Sequence, residues 1–538
     1  MHSIVLSICA EALSLLIIAV MSRCAPRFGL IDRPDDRKIH STPIPRVGGW
    51  GITIGGLIPI MLWLPSQPLL QAFVVATLLL FLFGVWDDRK QIGHWPKFVG
   101  QILAAGVLVY YGDLSISRLP FLDGTPLSPS LGKPLALFAI VGTINAINHA
   151  DGLDGLAAGE TILSLIGMAI LGQLASSGTV VGICFATIGG IIGFLRYNSH
   201  PARIFMGDSG SQVLGLTLAF MAIYLTQIAD TALSAVTPLL LLGVPIVDIL
   251  LVLLRRIESG RNWFAATRDH THHRLLDLGC RHGQAVAVIY SVHAALVLSA
   301  MLLRYSPDVD ACAAYSGIVG VSLLALRTAE QRGWKLVARR TSADPAAGNS
   351  QAWLREMPWR LIVVAASVLM LTAAIWADHV PRDISGVAAA LAVLLLLGMT
   401  VGGSRGRVLV RLIVYAAAIS AAYLFVTFPG DVAQQSIETM ALGVVIVLLL
   451  GIIGCMRFSS DRQVGTTPTD YLIALGLVAL LLYAGIDRSS LTQVRTIVYA
   501  VVLLYGCELL LERAAKRWNS MHMTTLATLT ILALRGVL

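Results

Sequence analysis

Long apolar runs alternate with short polar breaks over most of the chain. Many of the runs approach about 20 residues, the length a helix needs to cross the hydrocarbon core of a bilayer. The pattern predicts an all-α, polytopic bundle with about 11 spans in a first domain, 1–326, and about 6–7 more in a C-terminal extension, 361–538. Between them, 327–360 is basic, holds Pro, Gly and Ser, and has no long apolar run, so it reads as a linker. The first run, Ser3 to Met21, has no basic residue ahead of it and is followed by Arg23, Arg27 and Arg33, which predicts a span rather than a cleaved leader.

Composition agrees. Of 538 residues, 56% are hydrophobic and 13% charged, against roughly 25% charged in soluble domains. The net charge of +8 does not point to nucleic acid, because most of the 39 Lys and Arg residues fall in alternate loops. That bias places those loops in the cytoplasm of a bacterial inner membrane protein whose N-terminus lies outside. Membrane lipids are its surroundings, and a second copy of the chain is a candidate partner. The seven cysteines are scattered without CxxC spacing, which supports neither a disulfide framework nor a zinc site.

The polar breaks before residue 285 carry the unusual chemistry, all in loops assigned to one face. Asn145-Ala-Ile-Asn148-His-Ala-Asp151-Gly-Leu-Asp154-Gly155 joins two apolar runs and sets two carboxylates three residues apart, on one side of a helical turn. Asp87 and Asp88 end another run: either an interfacial pair with Arg89 and Lys90, or a pair that binds a divalent cation. Lys97, a turn or two further on, stands where a lipid phosphate would lie. In Phe205-Met-Gly-Asp208-Ser-Gly-Ser, Asp208 enters a span after glycine, which suits a Mg²⁺ ligand beside phosphate-binding N–H groups, or a simple N-cap. Asp248 lies inside a span and so faces a bundle interior or a wet cavity. Arg268-Asp-His270-Thr-His272-His273-Arg reads as a transition-metal site, a cationic cradle for pyrophosphate, or a headgroup-binding loop. Hard anionic ligands beside cationic groups describe Mg²⁺-dependent phosphoryl transfer. A transporter or flippase with an intramembrane carboxylate relay is the alternative, and it predicts broken helices at mid-membrane.

In this order and spacing the motifs resemble the polyprenyl-phosphate N-acetylhexosamine-1-phosphate transferase family over about residues 1–326. The resemblance implies transfer of a sugar 1-phosphate from a UDP-sugar to undecaprenyl phosphate, releasing UMP, with Mg²⁺ (or Mn²⁺) at the inner face. It implies that Asp208 binds the metal and that Asp87 and Asp88 are the family's acidic pair, with His270, His272 and His273 catalytic at the pyrophosphate. Asn145, Asn148, Asp151 and Asp154 fall in its nucleotide loop, and Phe205 at the uracil. Lys38, Lys97, Asp248 and Arg268 complete the implied substrate contacts. The peptidoglycan translocases have three consecutive histidines here, whereas this chain has Thr271 after Arg268-Asp269-His270. That favours the N-acetylglucosamine branch, which initiates O-antigen, related polysaccharide or other cell-wall glycans.

Overall fold

The computed structural model describes residues 2–33, 42–122, 126–260, 269–334, 350–377, 380–400, 403–427, 443–445, 447–448, 450–452, 470, 472–476, 491–513 and 518–535. The described residues are overwhelmingly helical. The chain divides into two compact units, Met1–Ala338 with Thr467–Ala479, and the remainder.

In the first unit the helices are α1 (His2–Phe28), α2 (Gly48–Trp63), α3 (Pro68–Lys90), α4 (His94–Gly106), α5 (Pro129–Ala150), α6 (Leu156–Leu174) and α7 (Gly178–Asn198). They continue as α8 (Asp208–Tyr224), α9 (Thr237–Leu241), α10 (Gly243–Glu258), α11 (Thr271–Asp277), α12 (His282–Leu302) and α13 (Asp308–Gln331). The eleven expected runs coincide with α1–α8, α10, α12 and α13. Eight of these helices are long and apolar enough to cross a membrane, whereas α2, α4 and α10 are shorter. The protein is therefore a multi-pass membrane protein.

Small residues let the outer helices approach closely. Gly51 and Gly55 of α2 lie against Ala10, Ser14 and Ile18 of α1, and Gly189 and Gly193 of α7 meet the α1 backbone near Ser7 and Glu11. Ser14 donates to the Gly190 carbonyl at 2.8 Å. Where lipid tails are as apolar as leucine, such close packing drives helix association. The most enclosed spans, α6, α7 and α8, form the centre.

Two short strands, β1 (Ile31–Asp32) and β2 (Ile44–Pro45), pair antiparallel with Ile31 opposite Pro45. Past β2 the chain reaches the segment before α8. Phe205 N–H donates to Pro45 O, Gly48 N–H to Phe205 O and Gly49 N–H to Met206 O, all at 2.9–3.0 Å. At the other end of the bundle, Asp308 accepts from Ser234 and from the Phe121 N–H, and Gln227 accepts from Ser117 and Arg118.

In the second unit the described helices include Ser350–Trp376, Arg382–Thr400, Gly403–Thr427, Leu491–Arg513 and Trp518–Arg535. The first begins inside the stretch that composition marked as linker, although its apolar window starts at Met357. Leu472 and Leu475, read from sequence as part of the extension, join the core of the first unit, where Gly476 faces Ile166 of α6.

Asn198, the last residue of α7, ties the two central loops together. Its side-chain oxygen accepts from Gly155 N–H at 2.7 Å and its amide donates to Ile204 O at 2.9 Å. Truncation leaves two buried backbone groups unpaired, at about 1–3 kcal/mol each. Asn198→Ala is thus expected to lower stability by about 2 kcal/mol or more, read as a fall in thermal unfolding temperature in detergent; an unchanged temperature would refute the tie.

Candidate active site

The helix ends at one end of the first unit carry the polar residues. Asp87 and Asp88 finish α3 and are buried, and their partners are not the neighbouring Arg89 and Lys90. Asp88 accepts from the N–H of Asp208 at 2.8 Å and of Ser209 at 3.1 Å, one on each oxygen. Gly207 caps α8 with φ +74, and a side chain there would collide with the Asp88 carboxylate. The next two N–H groups, of Gly210 and Ser211, turn back to Gly207 O. The start of α8, read from sequence as a phosphate cradle, is therefore already satisfied by α3 and its own turn, and neither Asp208 nor Ser209 acts as a side-chain N-cap.

Lys97, on the first turns of α4, stands 2.8 Å from Asp87 and 2.6 Å from Asp208. Its ammonium bridges carboxylates from two helices. Asp87 also accepts the Ile92 N–H at 2.9 Å. A row of amides backs this centre: Asn145 donates to Gln101 at 2.7 Å, Gln101 to Gln212 at 3.3 Å, and Gln212 to Asp208 at 3.2 Å. Asn145, expected at the nucleotide, is thus engaged inside the bundle. Asn148 donates to Ser211 at 3.0 Å.

The Asp151–Gly155 stretch is not one helical turn. The helix ends at Asp151 (ψ 56), and Gly155 takes φ +79, so the two carboxylates diverge. Asp154 turns to His200, at 2.7 Å, and to the Ala202 N–H, at 3.1 Å. Asp151 makes no hydrogen bond or ion pair among the described residues. Burial, then the charges of Asp208, Asp154 and Asp88, push its carboxyl up to about 7. Tyr290 donates to Gly155 O at 2.6 Å, and Gly152 lies against the His272 ring, where no side chain would fit.

Asp248 of α10 accepts from Thr271 N–H at 2.8 Å and Thr271 Oγ1 at 2.6 Å, and holds His270 Nδ1 at 2.7 Å. A row of imidazoles follows: His149 to His270 at 5.4 Å, His270 to His272 at 5.6 Å and His272 to His273 at 4.3 Å between ring centres. Burial, then the neighbouring His273, bring His272 down to about 4. Lys38 and Arg268 lie outside the described residues. Phe205 sits beside Arg46 at the entrance to α8, bridged to it through the backbone.

Gln101, Gln212, Asn198 and Tyr290 build the site without having stood out in the sequence. Lone amides inside apolar runs were the available signal for the first two, because unpaired polar groups are costly there.

At this end of the first unit, carboxylates thus surround the Lys97 ammonium, flanked by a row of histidines. Residues 70–226 match the family model described as glycosyl transferase family 4. A probable undecaprenyl-phosphate N-acetylglucosaminyl 1-phosphate transferase of Bacillus subtilis is 35% identical over 310 residues, 56% of this chain and 86% of that protein. The decaprenyl-phosphate N-acetylglucosaminephosphotransferase of Mycobacterium tuberculosis is 34% identical over 299 residues, 49% of this chain and 74% of that protein. The undecaprenyl-phosphate alpha-N-acetylglucosaminyl 1-phosphate transferase of Escherichia coli is 30% identical over 296 residues, 53% and 79% of the two chains. The chain belongs to glycosyl transferase family 4, on the polyprenyl-phosphate N-acetylglucosaminyl-1-phosphate transferase branch.

Two outcomes separate scaffold from chemistry. Asp88→Asn replaces one acceptor with a donor that faces a backbone N–H, so it should destabilise the protein by about 2 kcal/mol. Asp87→Asn still accepts from Ile92 and leaves Lys97 paired with Asp208, so it should shift thermal unfolding less; equal shifts would contradict this division. Asp151 gives a pH signature. Its raised pKa means stability is present below 3.8 and lost as pH rises through about 7. Asp151→Asn should therefore unfold at a higher temperature than the parent near about pH 8 in chelator, with the gap closing by about pH 4; a gap independent of pH would exclude the assignment.

Proposed function

We propose that this protein transfers an N-acetylhexosamine 1-phosphate from a UDP-sugar to a polyprenyl phosphate, undecaprenyl phosphate in a bacterial inner membrane. Transfer takes place at the inner face, releases UMP and begins a lipid-linked cell-surface glycan. The observation that carries the reading is Lys97 bridging Asp87 and Asp208 beside an unpartnered Asp151, at the ends of membrane-crossing helices. The relatives' names supply the substrate class.

The donor set fits Mg²⁺: hard carboxylate oxygens, one of them unpartnered and pressed by three like charges. Asp208 and Asp151 would hold the ion, which when bound would neutralise charge on the diphosphate. An oxygen of the lipid phosphate attacks the phosphorus that bears the sugar. The new P–O bond forms as the bond from that phosphorus to the bridging oxygen breaks, and UMP leaves with that oxygen and its electron pair. A phosphate monoester has its second pKa near about 6, so the nucleophile needs no strong base. Asp87 then serves to hold Lys97, whose remaining N–H donors suit the lipid phosphate. Asp248 accepts from His270 Nδ1–H, which fixes the ring and its tautomer and leaves Nε2 as the nitrogen available to the substrate. Asn148 and the Asp151–Gly155 turn border the nucleotide.

Wild-type protein should release UMP only when both UDP-sugar and lipid phosphate are supplied with a divalent cation. Asp208→Ala should lower that rate at least about 10²–10³-fold. Full activity in the variant would overturn the ion assignment, and no UMP from the parent would overturn the reaction class. Mass measurement of the lipid product identifies the sugar.

A further inference from the structure

A second group of ligand-type side chains meets on the far side of the Asp151–Gly155 turn. Asp154 comes from that turn, His200 from the segment after α7, and His282 from the first residue of α12. One ligand atom from each lies within 4.8 Å of the other two. His200 Nδ1 is 2.7 Å from Asp154 Oδ2, and His282 Nε2 is 3.0 Å from the Asp154 main-chain oxygen. The two imidazoles stack with ring centres 4.0 Å apart and planes 14° from parallel.

We infer that Asp154, His200 and His282 form a binding site for a transition-metal dication of the zinc class, separate from the carboxylate centre at Asp208. Three separate elements each deliver a nitrogen or carboxylate ligand to one point. Two imidazoles and one carboxylate select zinc-like ions, whereas Mg²⁺ prefers an all-oxygen shell. The Ala202 N–H, already on Asp154 Oδ2 at 3.1 Å, is the kind of outer hydrogen bond that orients a ligating carboxylate. The His200 side chain is 49% exposed, so an ion has an entry path and water can fill a fourth position. Tetrahedral zinc needs its ligand atoms about 3.3–3.5 Å apart, so the cluster must close by about an ångström. His200, the most exposed of the three, is the side chain free to turn and close it. Occupancy pins the turn that also carries Asp151.

Cobalt(II) is the probe, because its visible absorption strengthens sharply in a four-coordinate nitrogen and oxygen site. Full-length protein in detergent, stripped with chelator, should take up a single equivalent of Co²⁺ with that absorption. Zn²⁺ should displace it and excess Mg²⁺ should not. His200→Ala, an exposed position that leaves the bundle intact by thermal unfolding, should weaken binding at least about tenfold, and His282→Asn should do the same. Absence of the absorption in the parent, or its survival in both variants because ions sit on the His270–His273 row, would overturn the site. The readout is metal binding, so it stands whether or not the transferase reading holds.

Discussion

Carboxylates at the end of an apolar bundle need partners, and the arrangement of this unit follows from how each obtains one. Asp88 takes two backbone N–H groups of α8, Asp87 and Asp208 share Lys97, and Asp248 takes Thr271 and His270. Asp154 takes His200. Each of these bonds joins a different pair of chain segments, so satisfying the charges is also what brings α3, α4, α8, α10 and the histidine segment together. Losing one partner in such surroundings strands a charge away from water, which costs far more than the contact alone suggests. Asp151 is the exception, with no hydrogen bond or ion pair among the described residues, and burial beside three like charges pushes its carboxyl up.

That division of labour reassigns what looked conspicuous in the chain. Adjacent Asp87 and Asp88 are alike in sequence and unlike in role, because successive residues at a helix end point in different directions. One meets an ammonium group and the other a backbone turn. Likewise Asp151 and Asp154 separate because the helix ends at Asp151 and the chain turns through Gly155, so the pair is split between two neighbourhoods.

Much of the architecture was legible from hydropathy, since the apolar runs map onto helices and the polar motifs before residue 285 onto one end of the first unit. What was not legible depended on partners distant in sequence. Asn198 looks like an ordinary helix terminus until Gly155 and Ile204 are seen on either side of it. Tyr290 is one more residue of an apolar helix until its hydroxyl meets Gly155. Leu472 lies more than a hundred residues beyond α13 yet packs with the first unit, a return that no local period encodes. The α8 N-terminus was read correctly as a helix start after glycine but not as one already occupied, because the occupant comes from α3.

The amide row behind Asp208 has a direction. Asn145, Gln101 and Gln212 each give their nitrogen to the next group's oxygen, ending on the carboxylate. Turning Gln101 or Gln212 over would set oxygen against oxygen on one side and nitrogen against nitrogen on the other. The row therefore reads only one way, and Asp208, as its terminus, supplies the polarity. Three neutral side chains on three helices carry forward an orientation set by a single negative charge, so rotating that charge would unsettle residues that never touch it.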